Sequence, residues 1–120
     1  MPIDTARAAQ AATTHDVFNH HLQAFSQGLD ALVSDYTEQS VIQLPDATLR
    51  GLTAIRQFFF DFLGSIQPGF WDAFHISRQA VEGDTAYLVW SAKPFVTMAT
   101  DTLCVRDGKI VVHTFTPFSA

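Results

Sequence analysis

The sequence predicts an α+β domain in which helices come first and antiparallel strands follow, with the helices gathered on one face of a curved sheet. Three observations carry that expectation. Apolar residues recur at helical spacing in the first half, most densely between Gly51 and Leu63, where four phenylalanines fall in one short segment. From Phe70 onward long strand-like runs meet at Gly83-Asp84 and at Asp107-Gly108, the dipeptides expected of hairpin turns. The chain has 120 residues, enough for one core and not for two.

In order, Thr13 and Thr14 are placed to cap a first helix running to Gln27, with Gly28 where a helix commonly ends. Phe18, Leu22 and Phe25 form its buried stripe. Residues 1–12 read as a flexible N-terminal segment, so the single domain is expected to span residues 13–120. Asp30 is expected to cap a short second helix ending near Tyr36, and Ser40 to Leu44 reads as a strand stopped by Pro45-Asp46. In the third helix Leu52, Ile55, Phe59 and Phe62 share a face, Arg56 and Asp61 turn away, and Phe60 points to a second contact surface. Trp71 to Glu82 and Thr85 to Met98 make one expected hairpin. Asp101 to Arg106 and Ile110 to Phe118 make the other.

Composition narrows the function classes. Hydrophobic residues make up 48% and charged ones 16%, so the chain is globular and apolar enough to suggest self-association. A formal net charge of −5 and seven scattered Lys and Arg leave no footprint for nucleic acid. No apolar run approaches membrane length, and the start lacks the apolar core of a signal peptide. Cys104 is the single cysteine, which excludes an internal disulfide and fits a reducing cytoplasm.

Among the polar residues, His15, His20 and His21 are spread around the first helix at 100° per residue, so one metal cannot easily meet all three. With no other ligand spacing of the zinc or facial-triad type, neither a metal nor another cofactor is expected. His21 sits at the edge of the stripe formed by Phe18 and Phe25 and is a candidate pocket residue. Ser91, Thr97 and Cys104 lie in no nucleophile motif and read as small strand residues.

Asp101 and His113 form the more informative pair. If Arg106-Asp107-Gly108 is a three-residue loop with a bulge, Asp101 lies directly opposite His113 on one face. If Asp107-Gly108 is a two-residue type I′ turn, the two side chains point to opposite faces. The bulged loop is favoured here because it also puts Leu103, Val105, Val111 and Phe115 on the face of the pair. A buried Asp-His pair can serve proton transfer or act only as a satisfied structural contact. Strand alternation sets Trp90 against Tyr87; Trp90 is assigned to the outer, dimer-forming face and Tyr87 to the pocket.

The segments Phe25-Ser-Gln-Gly-Leu-Asp-Ala-Leu-Val, the Pro45 turn, Gly51-Leu-Thr-Ala-Ile-Arg-Gln-Phe-Phe and Val105-Arg-Asp-Gly-Lys-Ile resemble the nuclear transport factor 2-like superfamily, in its SnoaL-like and ketosteroid isomerase-like branches. The resemblance covers Thr13 to Phe118. It implies a cystatin-like cone of three helices wrapped by a bent sheet, an apolar pocket, and a homodimer formed across the outer sheet face. Its members include isomerases, cyclases, dehydratases, epoxide hydrolases and pure binding or assembly modules. The base of the isomerase branch corresponds to Leu44, so the usual proton shuttle is missing. The oxyanion-holding tyrosine corresponds to His21, and the aspartic acid beside it to Asp101.

Two functions follow as expectations. One is an enzyme moving protons on a small apolar carbonyl compound by isomerisation, cyclisation or dehydration. Asp101 and His113 would be its acid-base pair, His21 its oxyanion donor, and Phe18, Phe25, Leu44, Phe59, Phe62, Tyr87 and Phe115 its ligand-binding walls. The other is a non-catalytic dimeric cup for a hydrophobic small molecule or a protein partner.

Overall fold

The computed structural model describes residues 2–119, with side chains from residue 8 onward. Helix α1 covers Pro2–Ala24. It therefore begins well before Thr13 and Thr14, which are interior residues rather than caps. A mid-helix threonine can satisfy its hydroxyl on the preceding turn, and Thr14 Oγ1 lies 2.9 Å from the Gln10 carbonyl. The same hydroxyl lies 2.8 Å from the Gly83 carbonyl, and Gln10 Nε2 donates to the Val105 carbonyl at 3.2 Å. These contacts tie the helix to two hairpin tips, a tertiary reward that local capping preference does not reveal.

After a turn, Gly28 takes a positive φ of 109° and precedes helix α2, Leu29–Val33. Asp30 lies inside its first turn instead of capping it. Strand β1, Tyr36–Leu44, starts four residues earlier than expected, so Tyr36 belongs to the sheet and not to a helix end. Its early part is irregular: the pairing with the last strand jumps between Tyr36 and Val41, where Ser40 Oγ accepts from Thr37 N at 2.8 Å and donates to the Ile110 carbonyl at 2.6 Å. Pro45-Asp46 does stop the strand, as the tip of a hairpin with the short strand β2, Ala47–Arg50. That edge strand is too short and polar to carry a strand signal.

Helix α3, Gly51–Ser65, matches its expected stripe: Ile55 and Phe59 are buried, Arg56 and Asp61 are exposed, and Phe60 faces solvent. Arg56 pairs with Asp30. Phe70–Ala73, expected to begin a strand, forms a one-turn helix α4 behind Gly69, whose φ of 88° reverses the chain. The strands β3 (Phe74–Glu82), β4 (Thr85–Ala92), β5 (Val96–Arg106) and β6 (Lys109–Phe118) follow. The run expected as one strand to Met98 is broken by a turn at Lys93-Pro94, a cis peptide, so that β5 begins at Val96.

The six strands form one curved sheet in the order β2-β1-β6-β5-β4-β3, antiparallel throughout except for the parallel β1–β6 pair. Helix α1 packs on β3, β4 and β5, and α3 on β1 and β2, so the helices close one side of the sheet. The core lies between them, with Phe18, Leu32, Ile42, Ile55, Leu103 and Ile110 essentially inaccessible. No helix among the described residues is long and apolar enough to cross a membrane.

The β5–β6 hairpin departs from both geometries considered for it. Arg106 pairs with Lys109, and Asp107 and Gly108 have φ of 52° and 76°, the signs of a two-residue type I′ turn. The bulge lies in the strand, between the pairs Cys104↔Val112 and Val105↔Ile110, and leaves Val111 as the extra residue. His113 thus sits opposite Leu103, and Asp101 opposite Phe115. The two are not directly paired, yet the extra residue restores them to one face. Leu103, Val105 and Phe115 share it, while Ile110 replaces Val111 there.

Candidate functional site

A cavity of about 100 Å³ opens between α1, α3, α4 and the inner faces of β3 to β6. Its walls are nearly all apolar. Phe18 and Phe25 come from the first helix and its terminal turn, Phe58, Phe59 and Phe62 from α3, and Trp71 from α4. Trp90 and Phe115 stack across the sheet side, ring centroids 6.3 Å apart at 4°. Apart from indole nitrogens, the polar side chains of the lining are His21, Asp101 and His113, and no Lys or Arg among the described residues contributes to it.

Trp90, Asp101 and His113 form a connected chain with Tyr36. Trp90 Nε1 donates to Asp101 Oδ1 at 2.8 Å. Asp101 Oδ2 lies 2.7 Å from His113 Nε2, and His113 Nδ1 lies 2.8 Å from the Tyr36 hydroxyl. With neutral imidazole, Nε2–H donates to the carboxylate and the phenol donates to Nδ1, which leaves no polar atom of the chain unmatched. His113 and Tyr36 are buried; the Asp101 side chain keeps 14% exposure, at the cavity. Burial, followed by the charges of Asp101 and Asp35, pushes the Tyr36 phenol well above the usual 10.

His21 projects from α1 beside this chain, its ring 5.7 Å from that of His113 and perpendicular to it. Its Nδ1 points at Asp35 Oδ2 across 3.7 Å, too far for a hydrogen bond, and neither atom has another partner. The other carboxylate oxygen of Asp35 meets His20 Nδ1 at 2.7 Å. Burial pulls the His21 imidazole below the ordinary 6.5, against the opposing influence of Asp35 and with a further lowering from His113.

The expected site residues therefore divide. Phe18, Phe25, Phe59, Phe62 and Phe115 line the cavity together with His21, Asp101 and His113. Leu44 does not; it lies at the end of β1 and packs against the edge of the core. Tyr87 and Trp90 are exchanged relative to expectation. In β4 the buried positions are Ala86, Leu88, Trp90 and Ala92, so Trp90 faces the cavity and Tyr87 the outer surface, where the Arg78 guanidinium lies 5.8 Å from its ring centroid. Both faces of β4 offered an aromatic residue, and alternation alone gives no sign. Leu88 two positions away, with small Ala86 and Ala92, was the available clue.

Tyr36 and Asp35 were missed, because the helix end expected near Tyr36 placed them outside the sheet. The three N-terminal histidines go to separate environments: His15 bonds Asn19, His20 bonds Asp35, and His21 faces the cavity. Among the described residues no group of three or more His, Cys, Asp or Glu side chains is arranged to hold a metal ion.

Comparison with known proteins places this geometry. Residues 11–113 match the SnoaL-like domain model. Among solved structures, a protein from Sinorhizobium meliloti provisionally named a polyketide cyclase superposes with a TM-score of 0.67 at 19% identity, covering 83% of this chain and 93% of that one. A protein from Kribbella flavida provisionally named a ketosteroid isomerase gives 0.67 at 15% identity, with 91% and 80% covered. An NTF2-like protein of unknown function from Mesorhizobium loti gives 0.66 at 26% identity, with 94% of each chain covered. Among curated protein sequences none matches significantly. The helices, the six-stranded curved sheet and the matched span agree, and the chain belongs to the SnoaL-like domain family.

Proposed function

We propose that the protein catalyses proton transfer on a small, neutral, largely apolar carbonyl compound, in a reaction of the isomerase, cyclase or dehydratase type. One observation carries this reading: the polar side chains of an otherwise apolar cavity converge at one place, where Trp90 and His113 fix the Asp101 carboxyl. A carboxyl locked by two donors is oriented in advance of the ligand, and orientation in a dry site is worth much of a reaction barrier. The lack of Lys and Arg in the lining among the described residues argues against phosphorylated or carboxylated ligands. The provisional names of the Sinorhizobium and Kribbella proteins are in line with carbonyl chemistry.

Asp101→Asn tests the reading. The amide cannot exchange a proton with the ligand, so turnover on a panel of cyclic enones and β-dicarbonyl compounds is expected to fall by about 10²–10⁴-fold. Its NH2 must face the Trp90 or the His113 donor, so the thermal midpoint is expected to drop as well in a protein that stays folded. Undiminished turnover would remove Asp101 from the chemistry. A ligand that raises the midpoint and is recovered chemically intact would favour the non-catalytic cup.

The same proposal includes a cytoplasmic homodimer joined through the outer sheet face. Met98, Val112 and Phe118 are large, apolar and exposed on that side of β5 and β6. Light scattering of the native protein should give twice the chain mass, and Phe118→Glu should give the monomer. A native protein that runs at the mass of one chain rejects this part.

A further inference from the structure

We infer that His21 Nε2 is the proton acceptor of this site, positioned by Asp35, with His20 holding that carboxylate in place. The inference rests on the proton-transfer reading above and assigns the base that Leu44 leaves missing.

The argument starts from which nitrogens remain free. Both nitrogens of His113 are engaged, Nε2 with Asp101 and Nδ1 with Tyr36, so its ring has no lone pair or N–H left for a ligand. His21 differs. Its Nδ1 is buried, faces Asp35 Oδ2 at 3.7 Å, and has no other partner. A carboxylate accepts and cannot donate, so a bare Nδ1 would oppose two lone pairs in a buried place. The hydrogen therefore belongs on Nδ1. That leaves Nε2, on the opposite side of the ring, as an unprotonated acceptor on a side chain that lines the cavity. A tyrosine at this position could donate to an oxyanion, whereas His21 in this tautomer accepts instead.

The groups facing His21 complete the account. Asp35 approaches from the start of β1, and its Oδ1 holds the half-exposed His20 at 2.7 Å. The rings of Tyr36 on β1 and His113 on β6 lie 5.9 Å and 5.7 Å away, and the Asp101 carboxylate on β5 adds its charge. Phe25 and Phe59 supply the remaining ring contacts. His21 is thus kept neutral by burial, while Asp35 waits to stabilise the imidazolium that forms.

In the step itself, the Nε2 lone pair takes a proton from a carbon next to the ligand carbonyl. The C–H bonding pair becomes the enolate double bond, the carbonyl oxygen takes the negative charge, and His21 becomes imidazolium against Asp35. Delivery of that proton to another ligand atom restores the neutral ring, with its hydrogen still on Nδ1. Nothing is oxidised or reduced.

Long-range ¹H–¹⁵N spectra of the histidine-labelled full chain test the assignment without any substrate. At neutral pH they should show His21 protonated at Nδ1 and bare at Nε2, and Asp35→Asn should lower the His21 titration midpoint while Asp35→Glu preserves it. An Nε2–H tautomer for His21 overturns the inference. On any carbonyl compound the native protein turns over, His21→Gln should lower kcat by about 10²–10⁴-fold. Asp35→Asn should lower kcat by about tenfold at unchanged KM and move the acidic limb of its pH profile down. Retained activity in His21→Gln rejects the inference and leaves the proton-transfer reading standing. No turnover by the native protein, with the Nδ1–H tautomer intact, rejects that reading and the step with it.

Discussion

The Tyr36 hydroxyl lies 2.8 Å from His113 Nδ1, both residues are buried, and with the His113 Nε2–H on Asp101 the phenol is the donor. Tyr36→Phe therefore strands a buried acceptor and is expected to cost about 1–3 kcal/mol, measured by urea unfolding. A change below about 0.5 kcal/mol would mean that His113 finds another donor. Counting from the hairpin turn suggested Asp101 and His113 as a pair, but the observed two-residue turn alone would put them on opposite faces, and it is the bulge at Val111 that brings them to one side. Tyr36, the third member, was not legible, since nothing local distinguishes the last residue of a helix from the first of an irregular strand. His21 was legible as a pocket residue from its spacing to Phe18 and Phe25, but its charge partner was not, because Asp35 reaches it from another element.

At the scale of elements, α3 begins under a constraint that its sequence hides. Gly51 has φ of 82°, and a Cβ there would lie 3.4 Å from the Glu38 carbonyl oxygen and from Glu38 Oε2. The left-handed backbone alone costs an L-residue about 1–2 kcal/mol, so Gly51→Ala should lower stability by about that amount, read as a fall in the thermal midpoint of several degrees. An unchanged midpoint would show that the turn can relax. Phe59 and Phe62 ride on this helix, so its entry angle sets one wall of the cavity. The helical stripe itself was readable in full, because Leu52, Ile55, Phe59 and Phe62 fall at helical spacing. The sheet was readable as strands and turns but not in phase: β4 carries aromatic residues on both faces, and β6 hides its bulge in an Ile-Val-Val run where any register is apolar.

For the molecule as a whole, two buried groups set opposite limits on the stable pH range. His21 is held below 6.5 in the folded state by burial, so the unfolded chain binds its proton more readily. Stability from this group is fully present above about pH 6.5 and declines as pH falls below it, at up to about 1.4 kcal/mol per pH unit. Tyr36 is raised above 10 in the folded state, so its contribution is intact below that value and declines as pH rises beyond it. Urea midpoints measured from pH 5 to pH 8 should therefore rise with pH, and His21→Gln should flatten the dependence. If the slope persists in that variant, other carboxylates or histidines carry it.

The extra residue Val111 has one more effect. It separates the turn at Asp107-Gly108 from the face on which His113 and Phe115 stand, because it advances the strand by half a pleat after the turn is complete. The hairpin tip can then keep the tightest turn available while His113 joins Asp101 on the cavity side, which parity would otherwise deny it. Val111 works as a phase shifter, and the one extra residue in β6, more than the identity of any residue at its tip, decides on which side of the sheet His113 stands.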